Sequence, residues 1–126
     1  MSKANLYLGR SGEEAALKFL KSKGYRILSR NYKSKLGEID IIAEDKDTVC
    51  FVEVKTRSSD KFGLPQEALS NFKQRQIAKT ALGFLKENRL LERKARFDAV
   101  SVTWEGDSPQ IDLITNAFEL NSSFTY

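Results

Sequence analysis

The chain predicts an α/β fold, a mixed β-sheet flanked by helices in the order α-β-β-β-α-β-β, and three observations carry that prediction. Two stretches of helical periodicity stand on either side of three consecutive runs rich in β-branched and aromatic residues. Short polar turns join those three runs, as in an antiparallel meander. The second helical stretch leads into another strand, the pattern of a crossover connection, before a last strand closes the chain. With 126 residues, 40% of them hydrophobic, one domain is expected over residues 1–120, and 121–126 read as a frayed tail.

Taken in order, the first helix is predicted over about residues 5–23. Ala16, Phe19 and Leu20 recur at helical spacing, Lys21 and Lys23 suit a helix C-terminus, and Gly24 supplies a left-handed stop. Glu13 and Glu14 are placed in its early turns, where acids favour the helix dipole. Tyr25 to Tyr32 reads as the first strand. A turn at Lys33–Gly37 leads into a hairpin whose strands flank the polar patch Glu44-Asp45-Lys46-Asp47. After Arg57 a polar, Gly- and Pro-containing segment reads as a loop beside the hairpin end. Ser70 is a plausible N-cap for a helix reaching about Glu87, with Ile77, Ala81, Phe84 and Leu85 inward and Lys73, Arg75 and Lys79 on its outer or site-facing side. Strands are expected at Phe97–Trp104 and near Ile111–Thr115.

Within the hairpin the charged positions need a reason. Alternation places Val49, Phe51, Glu53 and Lys55 on one face, so two ionised groups continue an apolar row. On the preceding strand Asp40 is expected on the face of Glu38 and Ile42, opposite to Ile39 and Ile41. If Glu44 pairs with Val49, Asp40 comes directly opposite Glu53. Like charges facing each other across a ladder are destabilising, and a hard divalent ion held by one or two carboxylates plus waters relieves that. The plain alternative is a frayed strand end with solvated charges.

Composition narrows the chemistry. There is no histidine and one cysteine, which excludes Ser-His-Asp and Cys-His nucleophiles and the usual structural zinc sites. Cys50 lies in an apolar run and reads as inert packing in a reducing compartment. No phosphate-binding glycine loop occurs. No stretch is long and apolar enough for a membrane span or a signal peptide, so a cytoplasmic protein is expected. All 21 Lys and Arg lie within the first 96 residues, whereas the last 30 carry five acids and no base. Such a field suits a polyanion, nucleic acid first, or else a solvated surface.

Gly9-Arg10-Ser11-Gly12-Glu13-Glu14-Ala15-Ala16, Gly24-Tyr25-Arg26-Ile27-Leu28 with Asn31-Tyr32, Gly37-Glu38-Ile39-Asp40, Phe51-Val52-Glu53-Val54-Lys55-Thr56-Arg57 and Arg96-Phe97-Asp98 together resemble the YraN-like bacterial proteins over nearly the whole chain. Those proteins are in turn similar to the PD-(D/E)xK restriction-endonuclease-like superfamily, particularly the archaeal Holliday-junction resolvases. Asp40 followed by Glu53-Val54-Lys55 is the shared core, with Ile39 where the motif's name has proline. The resemblance implies Mg²⁺ or Mn²⁺ held by Asp40, Glu53 and the backbone carbonyl of Val54, with Glu13 contributed by the first helix and Gly12 permitting its close approach. It gives Lys55 the work of orienting the attacking water and countering phosphate charge. It implies a metal-dependent nuclease acting on structured or branched DNA, and a homodimer. Arg10, Lys33, Lys35, Arg57 and Lys73 are the candidate nucleic-acid contacts. The alternative is a non-catalytic nucleic-acid-binding or adaptor domain on the same fold.

Overall fold

The computed structural model describes residues 3–58 and 70–118, with side chains described over 11–57 and 70–118. The elements are α1 (Lys3–Ser22), β1 (Arg26–Ser34), β2 (Gly37–Asp45), β3 (Thr48–Ser58), α2 (Asn71–Glu87), β4 (Lys94–Glu105) and β5 (Ser108–Phe118). They form a five-stranded sheet in the order β1-β2-β3-β4-β5. Every neighbouring pair is antiparallel except β3 and β4, which run parallel from Thr48↔Lys94 to Ser58↔Trp104. The mixed sheet and its crossover through α2 match the expected order. The tail 121–126 and the loop expected after Arg57, from residue 59 to 69, lie outside the described residues.

Each face of the sheet is covered by one helix. Ala16, Leu17 and Leu20 of α1 pack with Ile41, Ala43, Cys50, Val52, Val100 and Val102. On the other face Ile77, Ala78, Ala81, Phe84 and Leu85 of α2 pack with Ile39, Ile42, Val49, Phe51 and Phe97. β4 is buried without interruption from Phe97 to Val102, as a strand covered on both faces must be. Ser70 caps α2 as expected, its hydroxyl accepting from the Lys73 N–H at 3.2 Å. Gly24, at φ +92°, ends α1. Cys50 is buried, and burial first and the Asp98 charge second push its thiol up to about 12, which keeps it unreactive. Among the described residues no helix is long and apolar enough to cross a membrane.

Three expectations are corrected. α1 begins at Lys3, which puts Glu13 and Glu14 well past the first turn, where the helix dipole no longer acts on them; Glu14 instead pairs with Arg30. β4 and β5 extend beyond Phe97–Trp104 and Ile111–Thr115. Their flanking charges find partners across the sheet, as in Lys94–Asp47 at 3.2 Å and Arg93–Glu44 at 2.6 Å. Finally, Ile39 and Ile41 do not share a face: Ile39 belongs to the α2 core and Ile41 to the α1 core. Alternation breaks at Asp40, alongside Asn31 of β1, which takes a positive φ of 49°.

Gly12 sets how closely α1 approaches β3. A Cβ there would lie 2.0 Å from Thr56 Oγ1 and 2.9 Å from Thr56 Cβ, so rotating the threonine cannot clear it. Gly12→Ala is expected to cost about 1–3 kcal/mol, read as a lower urea midpoint at unchanged slope. An unchanged midpoint would mean that the helix does not sit this close.

Candidate active site

The break at Asp40 builds the site. β2 and β3 hold the expected register, Glu44↔Val49 through Ile41↔Val52, and Ile41↔Val52 is the last pair at this end. Continuing the count would bring Asp40 opposite Glu53, as the sequence predicts. Instead of a ladder bond, the Asp40 carboxylate takes over as acceptor: the Val54 N–H donates to Asp40 Oδ2 at 2.8 Å. The carboxylate therefore lies in the seam between the two strands, open to both faces. From the α1 side Glu13 faces it; from the α2 side Glu53 and Lys55 do.

Glu53 is 9% exposed, a buried acid on the α2 face. Burial first, then the hydrogen bond and charge of Asp40, push its carboxyl up to about 7, against the opposing pull of Lys73. Lys73, from the first turn of α2, places Nζ 3.3 Å from Glu53 Oε2. Lys55 is held below the ordinary lysine range by burial and by the neighbouring Lys73 ammonium, with Glu53 and Asp40 acting the other way. Glu13 is raised by burial and by Asp40, and Asn31 hydrogen-bonds to it. Two acids and two amines thus gather where the antiparallel β2–β3 ladder ends, with Glu53 paired to Lys73 and Lys55 within electrostatic reach of both acids.

Oxygen donors from Asp40 and Glu53, the latter a carboxyl raised by burial and then by its acidic neighbour Asp40, fit a hard divalent cation. Among the described residues no three acids are gathered closely enough to form a metal cluster, and Glu13 stands next to Asp40 without completing one.

The other predicted residues divide. Lys73 is brought to the site. Arg57 follows Glu53 and Lys55 on the same face of β3 and is half-buried. Lys33 and Lys35 are exposed around the β1–β2 turn, Lys33 4.0 Å from Glu38, and are not gathered at the carboxylates. The side chain of Arg10 lies outside the described residues. Two contacts go beyond what the sequence predicts. Asn31 was seen only as part of a motif, and its hydrogen bond to Glu13 depends on the irregular backbone of β1. Lys73 is expected on the outer or site-facing side of α2 as a candidate nucleic-acid contact, and not as the partner of Glu53. The available signal was its place three residues after the Ser70 cap, where a cation opposes the helix dipole and asks for a compensating acid.

The sequence profile of the uncharacterised protein family UPF0102 matches residues 12–102. A UPF0102 protein of Geobacter metallireducens is 52% identical over 120 residues, covering 95% of this chain and 98% of that one. One from Syntrophus aciditrophicus is 51% identical over 116 residues, covering 92% and 91%. Among solved structures, Pyrococcus furiosus SfsA in complex with Ca²⁺ is similar at 16% identity and a TM-score of 0.37, over 92% of this chain and 65% of that one, so the chain spans just under two-thirds of its length. The relatives match nearly end to end and the profile spans α1 to β4, the elements that carry Glu13, Asp40, Glu53, Lys55 and Lys73: the chain belongs to the UPF0102 family.

Proposed function

We propose that the chain is a metal-dependent nuclease that hydrolyses phosphodiester bonds in structured or branched DNA. The observation that carries the reading is the seam itself: Asp40 and Glu53 in contact on adjacent strands with the Lys55 amine beside them, in a chain without histidine. The same constellation underlies the resemblance to the PD-(D/E)xK nucleases.

Asp40 and Glu53 would hold Mg²⁺ or Mn²⁺, and the ion when bound supplies a more acidic water and charge to the phosphate oxygens. The Val54 N–H fixes one oxygen of Asp40, which keeps that carboxylate oriented without a side-chain partner. Lys55 sits where a water and a non-bridging phosphate oxygen would both lie within reach of its amine. Its lowered pKa fits it to hand a hydrogen bond to either with little cost of desolvation. In the hydrolysis one P–O bond forms to the water oxygen and one breaks to the sugar oxygen; the water proton leaves to solvent and the alkoxide regains one. Exposed Arg75 on α2 adds positive charge for the phosphate backbone. Nothing resembling a recognition helix or an aromatic stacking motif is present in the sequence, which favours selection by DNA shape over base readout.

A second reading, a nucleic-acid-binding domain without catalysis, is favoured by one observation: Lys73 already offsets the charge of Glu53. The two part on a single assay. A panel of labelled duplex, single-stranded, flap and four-way-junction DNA is incubated with Mg²⁺ or Mn²⁺ and wild-type, Asp40→Ala, Glu53→Ala or Lys55→Ala protein. Cleavage of one substrate by wild type alone, with binding retained in all four proteins, is the expected outcome. Binding without cleavage in every protein would establish the second reading, and cleavage undiminished in the variants would remove the site from the chemistry.

A further inference from the structure

Lys73 is contributed to the site by α2, and its side chain is 40% exposed against 11% for its partner Glu53, so the ammonium stands at the mouth with a route outward. Its position in the first turn of α2, which carries no acid, is unfavourable to the helix, and Glu53 supplies the compensation. When ionised, Asp40 and Glu53 are already matched in charge by Lys55 and Lys73. A divalent cation placed on the two acids brings two further positive charges against two ammoniums, and one ammonium has to withdraw. Lys55 is tethered within the sheet beside the seam, whereas Lys73, on the first turn of α2 and 40% exposed, needs only to rotate outward to solvent.

Resting on the nuclease reading above, we propose that Lys73 is a placeholder cation: it neutralises Glu53 while the carboxylate pair is unloaded and moves to a DNA phosphate when a divalent ion binds. Ion and DNA then favour one another, because each takes what the other releases. By linkage the coupling is reciprocal, so it is read equally from either ligand.

Mg²⁺ binding is measured by calorimetry on wild-type, Lys73→Met and Lys79→Met protein at pH 8.5, above the range in which Glu53 takes up a proton. Lys73→Met is expected to bind Mg²⁺ at least about fivefold more tightly than wild type. Lys79→Met, which removes the same charge from an exposed position on the same helix, is expected to match wild type. In a second arm, anisotropy of a labelled four-way junction with phosphorothioate linkages is followed with and without Mg²⁺. Wild type is expected to tighten on adding the ion, and Lys73→Met to tighten several-fold less. Equal Mg²⁺ affinity in wild type and Lys73→Met, or an equal gain in Lys79→Met, would overturn the placeholder role and leave the nuclease reading standing. Absence of Mg²⁺ binding at millimolar ion in all three proteins would overturn both.

Discussion

Glu53→Gln is expected to abolish cleavage while making the metal-free protein more stable above pH 7, two opposite effects of one removed charge. The stability effect follows from the raised carboxyl. In the unfolded chain Glu53 titrates near 4.5 and in the fold near 7, so between those values the native state holds a proton that the unfolded state has lost. Stability is therefore full below about pH 4.5, falls as pH rises toward 7, and is flat beyond. Over that span the loss is of order 3 kcal/mol. Glutamine keeps the shape without the charge and removes the slope. Part of the gain is offset because Lys73 loses its partner, although at 40% exposure that ammonium is readily rehydrated. A net gain of about 1–3 kcal/mol at pH 8 in chelator is expected. Activity goes the other way, since the carboxylate proposed to hold the ion is gone, and a drop of at least about a hundredfold is expected. Denaturation at pH 5 and pH 8, with the cleavage assay alongside, checks both. A parent protein equally stable at the two pH values, or a glutamine variant that still cleaves, would contradict the electrostatics described above.

Asp98→Ala is expected to be the most destabilising single change, at about 3–5 kcal/mol, for a reason unrelated to the chemistry. Asp98 is fully buried, and Arg96 Nε lies 3.0 Å from each of its carboxylate oxygens. The Asn116 N–H donates to the same carboxylate at 3.1 Å, where the β4–β5 register slips between Phe97 and Ala99. Arg96 in turn donates to Tyr25 Oη at 2.7 Å and to Asp45 at 3.0 Å. Burial opposes the Arg96 charge, but Asp45 and Asp98 outweigh it and hold the guanidinium firmly protonated. The cluster joins the α1–β1 turn, the β2–β3 hairpin, β4 and β5. Alanine leaves the strand bulge without its acceptor and the arginine Nε–H without the carboxylate it shares between two oxygens. Against a total stability of about 5–15 kcal/mol, this variant stands near the limit of folding, so Asp45→Asn serves as the graded comparison. Asp45 is 30% exposed, and its loss is expected to cost about 1 kcal/mol. Thermal or urea unfolding of both variants reads the order; an Asp98→Ala protein as stable as Asp45→Asn would show that the carboxylate does not carry the clamp.

The sequence by itself determined the element order, the Ser70 cap, the Gly24 stop, the β2–β3 register and the candidate group Asp40, Glu53 and Lys55, because each is written in local patterns: hydrophobic period, turn residues, and the parity of a strand. What parity could not express is the place where it fails. Splitting Ile39 and Ile41 between the two cores turns Asp40 into the seam, and that turn depends on Asn31 and on two helices packing from opposite sides. Lys73 reaches Glu53 only through the crossover that lays α2 across the sheet, twenty residues further along the chain. The Arg96–Asp98 clamp was visible as a motif but not as a role, since its partners Tyr25, Asp45 and Asn116 come from three other parts of the chain. Local interactions choose the elements; which charges end up sharing one low-dielectric space is decided when the elements pack, because only then does burial make each charge depend on its neighbours.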